Sequence, residues 1–192
     1  MKKGFTIVEV SILFVIFIIV AFLVAPLSVD DTLQAKHTSR WRVVQADFTN
    51  IFYSIKAQKQ DESANFEDVF VSTINSEAKS EAKPYSISFL NGAKAGILYK
   101  YEHFFTTYSN AVFAYLFFNE AKDGVLGHLM YDVNGVKGPN VWGKDVFGLN
   151  IYENTLEPIG SRNSVKEQKE DCSRKGTGMF CSNYYLIGGN FD

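Results

Sequence analysis

The chain has 192 residues, 46% of them hydrophobic, and a formal net charge of −2. That length accommodates one modest folded domain and one appendage, and the near-balanced charge gives no general reason to expect nucleic acid or acidic lipid as a partner. With 17 Phe, 10 Tyr and only 4 Pro, the composition excludes a disordered tail and suits a β-containing domain.

The chain opens MKKGFTIVEV and continues SILFVIFIIVAFLVAPL. From Phe5 to Leu27 the run is close to the ~20 residues a helix needs to cross a bilayer core. A cleaved secretory signal would have a shorter apolar region ending in an A-x-A-like site, and LVAPLSVDD does not supply one. A buried helix of a soluble protein is rarely this long and apolar on every face. Glu9 stands out within the run. A carboxylate at the centre of a spanning helix costs about 2.5–3.5 kcal/mol, less near the interface, and usually meets a cation. Cleavage after Gly4 would create one: Phe5 would carry a free α-amine, largely protonated at neutral pH. Paired within a chain, or between chains staggered lengthwise, that amine would neutralise Glu9.

The segment K-K-G-F-T-I-V-E, from Lys2 to Glu9, followed by the apolar run, resembles the start of type IV pilins and of the pseudopilins of type II secretion systems. The resemblance implies that a prepilin peptidase cuts between Gly4 and Phe5 and that Phe5 becomes N-methylated. It implies that Glu9 aids assembly, and that Pro26 bends the helix. It divides the chain into a leader (1–4), a transmembrane and assembly helix (5–27), an amphipathic continuation (28–60) and a β-rich head (61–192). The implied fold is α+β, with a long N-terminal helix, membrane-embedded in its first half, packed on an antiparallel sheet. The implied partners are the peptidase, other pilin or pseudopilin subunits, an inner-membrane assembly platform and membrane lipid. The run departs from the family's usual richness in Leu, Ala and Gly, since β-branched and aromatic residues dominate it.

Lys2 and Lys3 would hold the N-terminus in the cytoplasm, placing the head beyond the bacterial inner membrane. Losing them leaves 17 basic against 21 acidic residues, a net of −4, which disfavours a DNA-gripping subunit. Two functional classes follow: a structural filament subunit of a pseudopilus or pilus, or a minor pilin acting at the tip as an adhesin or DNA-uptake module.

Beyond the apolar run, Leu33, His37, Trp41, Val44, Phe48, Ile51, Phe52 and Ile55 recur at helical spacing, opposite Gln34, Lys36, Arg40, Arg42, Asp47 and Lys56. This predicts a helix burying one stripe, to near Lys59; SVDD at 28–31 would serve as a fresh N-cap if Pro26 interrupts it. Residues 58–84 read as polar and weakly structured, save a short helix over Phe66–Ile74. PYSISFLNG, AGILYKYEHFF, NAVFAYLFFNE and GHLMYDVNG then read as strands, bounded by the turn dipeptides Asn91-Gly92, Asp123-Gly124 and Asn134-Gly135. About four or five strands are expected.

In YDVNGVKGPNVWGKDVFGLNIY, Asp132, Asn134, Asn140 and Asp145 place oxygen atoms along a glycine-rich loop. Calcium takes six to eight such oxygens, and the resemblance adds that major pseudopilins often hold calcium in such a loop. No acidic residue stands at the twelfth position of an EF-hand pattern, and the same residues also read as a plain turn between strands. Cys172 and Cys181 are spaced wrongly for a C-x-x-C redox pair or a zinc site; outside the cytoplasm they would form a disulfide. Ser161–Gly178 reads as an exposed loop leading to a last strand near Tyr184–Ile187. His37, His103 and His128 form no ligand-spaced cluster, and no hydrolase or phosphate-binding motif occurs, so no enzyme is expected. His103 and His128, beside strand-like runs, are expected to be partly buried.

Overall fold

The computed structural model describes residues 6–58, 66–76, 78–95, 101 and 103–190, with the side chains of 24–31 and 58 outside that description. It is α+β. Helix α1 (Ile7–Gln58) precedes α2 (Phe66–Ser76), six strands, and the short helices α3 (Val165–Asp171) and α4 (Cys181–Tyr184). The strands are β1 (Ala78–Glu81), β2 (His103–Thr107), β3 (Val112–Lys122), β4 (Val125–Asp132), β5 (Val146–Tyr152) and β6 (Leu156–Pro158). They form one antiparallel sheet in sequential order. The chain divides into two units, 1–36 and 37–192.

In the first unit, every side chain described from Ile7 to Leu23 is exposed. Among the described residues no helix is long and apolar enough to cross a membrane. The membrane-embedded first half of the expected helix is thus not seen among the described residues. α1 is unbroken through Pro26, so the helix neither melts there nor begins afresh at Ser28.

In the second unit the alternation of the strands sends side chains to two faces, and both are covered. Phe113, Tyr115, Leu129, Tyr131, Phe147, Leu149 and Ile151 meet Trp41, Phe48, Phe52 and Ile55 of α1 and Phe66, Phe70 and Ile74 of α2. The predicted stripe is thus the buried one, and the α2 expectation holds; Leu33 is the exception, 45% exposed. Phe104, Val112, Ala114, Met130 and Val146 point the other way, onto Ile87, Phe89, Trp142, Ile159 and Met179.

That second layer accounts for several departures from expectation. PYSISFLNG is not a sheet strand; Ser88 makes only isolated bridges, to Lys94 and Val141. It serves as a strap whose Ile87 and Phe89 pack on the sheet while its backbone bonds sideways, Ser88 N to Asn140 O and Trp142 N to Ser88 O. AGILYKYEHFF contributes β2 from His103 onward; residues 96–100 and 102 lie outside the described residues. β1 falls in the stretch read as weakly structured, β5 in the stretch read as a loop, and β6 was not anticipated, so the sheet has six strands rather than four or five. The β3–β4 hairpin does turn at Asp123-Gly124, both at positive φ, as a tight two-residue turn requires.

The C-terminal region differs most. Ser161–Gly178 contains a helix, α3, begun by a capping box in which Ser164 and Glu167 bond reciprocally. The expected last strand is instead the helical turn α4. Cys172 and Cys181 are bonded, with Cα atoms 5.0 Å apart, and this staple fastens α3 to α4. Asp171 reinforces it, accepting from Thr177 N and Oγ1 at 2.8 and 2.6 Å and from Phe180 N at 2.9 Å. The loop also requires Gly143 (φ +80°): a β-carbon there would stand 2.6 Å from Cys181 Sγ. Replacing both cysteines with serine removes a short-loop cross-link and is expected to lower unfolding free energy by about 2–3 kcal/mol, read from denaturant midpoints.

Candidate functional site

Of the residues singled out for processing, Gly4 and Phe5 lie outside the described residues. Glu9 lies in the first turn of α1 and has a local partner that sequence reasoning missed. Thr6 N and Thr6 Oγ1 both donate to Glu9 Oε2, at 2.8 and 2.9 Å, and Glu9 N donates back to Thr6 Oγ1 at 3.3 Å. This is a capping box, and its signal, Thr three residues before Glu at the head of an apolar run, stands in the sequence. Around it Ile7, Val8, Val10, Ile12 and Leu13 are exposed. Ser11 Oγ, the next polar group along, donates to Ile7 O at 2.9 Å.

Asp132 and Asp145 are brought together across the β4–β5 connection, both wholly buried. Each acts as a hub for backbone and hydroxyl donors. Asp145 Oδ1 accepts from Val141 N at 2.7 Å, and Oδ2 from Asn140 N at 2.9 Å. Asp132 Oδ2 accepts from Tyr85 OH at 2.7 Å, and Oδ1 from Asn134 N at 3.2 Å. With the Asn140 amide turned so that its nitrogen faces Asp132, it donates to Gly135 O at 3.0 Å and to Asp132 Oδ2 at 3.3 Å. Asn134 Nδ2 donates to Gly138 O at 3.3 Å. Among the described residues no group of three or more His, Cys, Asp or Glu converges as a metal cluster. Asp132, Asn134 and Asp145 do face a common loop; the two carboxylates hold its turns and tie Tyr85 to it, while Asn134 Oδ1 is buried without a hydrogen-bond partner among the described residues. On this arrangement, millimolar calcium is expected to leave the melting temperature of a fragment beginning at Ser28 unchanged relative to chelator. A calcium-dependent rise abolished by Asp132→Asn would restore the cation site.

Burial perturbs the groups of this sheet in opposite senses. Asp132 is raised to about 7, chiefly by loss of water, with the Tyr85 hydroxyl opposing and the Asp145 charge adding to the rise. Tyr85 is itself driven up by burial and by the Asp132 charge. His128, 8% exposed on β4 with its ring edge-on to Phe118 at 5.0 Å, is driven down to about 4 by burial, the Asn150 amide opposing. His128 is thus buried as expected, whereas His103 is exposed; its ring lies beside those of Phe105 and Tyr115.

His128 contributes stability that is fully present above its unfolded value of 6.5 and is lost as pH falls toward 4. Asp132 contributes stability that is full below its unfolded value of 3.8 and is lost as pH rises to about 7. Across pH 4–6.5 the two slopes oppose. Denaturation midpoints over that range should be nearly flat in the parent chain. They should fall with rising pH in His128→Asn and fall with declining pH in Asp132→Asn; parallel curves for all three would refute this account.

No family model, curated protein or solved structure matches this chain.

Proposed function

We propose that the chain is a pilin-like structural subunit, cut by a prepilin peptidase between Gly4 and Phe5 and assembled through α1 into a type II secretion pseudopilus or type IV pilus. The observation that carries this reading is the surface of α1: from Ile7 to Leu23 apolar side chains are exposed on all sides, from 40% at Ile18 to 86% at Ile7. A helix apolar all round is stable only where lipid or other protein covers it. Lipid first and neighbouring subunits later both answer that need, because the same surface is reburied on assembly. The leader K-K-G and Glu9 add the chemistry. The peptidase adds water across the Gly4–Phe5 bond, and the α-amine so released becomes the cation that the acid meets.

The proposed setting is the bacterial inner membrane, with the N-terminus cytoplasmic, a single pass through residues 5–27 and the head outside, which the Cys172–Cys181 disulfide suits. The partners would be lipid, the peptidase, the assembly platform and further subunits; Phe5 would be N-methylated.

Intact mass of the protein taken from membranes tests this. The parent chain is expected to lack residues 1–4 and to carry one added methyl, and Gly4→Leu to keep its full mass. Loss of the leader from Gly4→Leu, or retention of it by the parent chain, would sink the reading.

A further inference from the structure

We propose that Thr6 is a positioning residue for Glu9, keeping its carboxylate hydrogen-bonded before cleavage and turned toward the chain's start, where the new amine arises. The inference rests on the subunit reading above and deepens it.

The contacts that carry it are reciprocal. Glu9 Oε2 takes both the backbone N–H and the hydroxyl of Thr6, at 2.8 and 2.9 Å, while Thr6 Oγ1 takes the Glu9 N–H at 3.3 Å. A glutamate side chain at the head of a helix has rotamers that run outward or along the axis. Two donors from one residue select the rotamer that folds back over the helix start.

That selection matters at two stages. Before cleavage the nitrogen of residue 5 belongs to a peptide bond and bears no charge, so the acid in its apolar run has no terminal amine to meet. The Thr6 donors give it charge-assisted hydrogen bonds at this stage, about twice as strong as neutral ones. After cleavage the amine belongs to residue 5, one residue before the N–H that Glu9 already accepts. The carboxylate is then already directed toward the end of the chain that becomes positive, and ordering it at the moment of assembly costs less conformational entropy. The hydroxyl is the essential group: it donates to the carboxylate and accepts from Glu9 N together. Serine retains both functions, and valine keeps the shape with neither.

The test compares Thr6→Val, Thr6→Ser, Glu9→Gln and Thr6→Val/Glu9→Gln in the full chain, in cells that process and assemble the parent protein. Leader loss is read by intact mass, and incorporation by the cleaved fraction recovered in sheared filaments. Thr6→Val is expected to be cut normally but incorporated about fivefold less, the scale of one lost N-cap. Thr6→Ser should match the parent chain, and the double variant should be no worse than Glu9→Gln, because Thr6 acts through the acid. The inference is overturned if Thr6→Val incorporates normally, if it is not cut, if serine fails to rescue, or if its defect adds in full to that of Glu9→Gln. Each of those results leaves the subunit reading standing. Normal incorporation of Glu9→Gln overturns the inference together with the pairing of acid and amine, whereas absence of the parent chain from filaments overturns the subunit reading itself.

Discussion

Trp41 is where the head is locked. Its ring stacks on Phe147 of β5 at 5.2 Å, and its Nε1 donates to Ser182 O of α4 at 2.8 Å, with the side chain wholly buried. One residue thus ties helix, sheet and disulfide-stapled C-terminus together. Arg42 repeats the tie from the next position, donating to Tyr185 O at 2.8 Å, and Ser182 Oγ accepts from Gly148 N at 3.0 Å. A buried indole N–H needs a partner, so the α4 turn supplies an acceptor as well as packing. Further along α1, Phe48 and Phe52 extend the contact through edge-on rings to Phe113, Tyr131, Phe66 and Phe70.

The consequence is a sheet whose two faces both carry packed apolar layers. α1 and α2 cover one side, and the Ala82–Ala95 strap with the Trp142 and Ile159 segments covers the other. The Asp132–Asp145 loop belongs to this second cover. Its carboxylates collect the N–H groups of residues 134, 140 and 141, which pulls the chain into position beside the strap, and Tyr85 closes the arrangement from the strap side. The buried acids serve as turn anchors: each carboxylate oxygen has a donor, which offsets part of the cost of burial, although loss of water still dominates at Asp132.

α1 itself carries two sequence logics. From Ile7 to Leu23 it is apolar around its circumference; from Trp41 to Ile55 it is apolar along one stripe. The second kind of surface is satisfied within the chain. The first is exposed in the described residues, and Glu9 with its Thr6 partner is the polar device set into that surface. A polar group there must either be neutralised or be fully hydrogen-bonded. The capping box meets the second condition, and a released amine would meet the first.

The local patterns were legible in the sequence where one physical signal dominated. The three- and four-residue spacing of Trp41, Phe48, Phe52 and Ile55 marked the buried stripe of α1, and Phe66, Phe70 and Ile74 marked α2. Asp123-Gly124 marked a hairpin because positive φ at both positions leaves few alternatives. The short polar β1, the strap at Ser88, and the helices α3 and α4 were not legible in the same way. β1 has an intermediate-to-exposed side-chain pattern and exists because β2 offers it an edge to pair with. The strap reads as a strand, yet its apolar residues pack across a face of the sheet while its backbone bonds to loops. α4 reads as β-branched and aromatic at its end, but Cys181 is tethered to Cys172 and Ser182 and Tyr185 face α1 and β5, which holds the backbone in a turn. Sequence alone determined which surfaces had to be covered, because apolar periodicity is a property of the chain. What covered them was decided by tertiary structure, because hydrogen-bonding edges and packing space exist only once the other elements are in place.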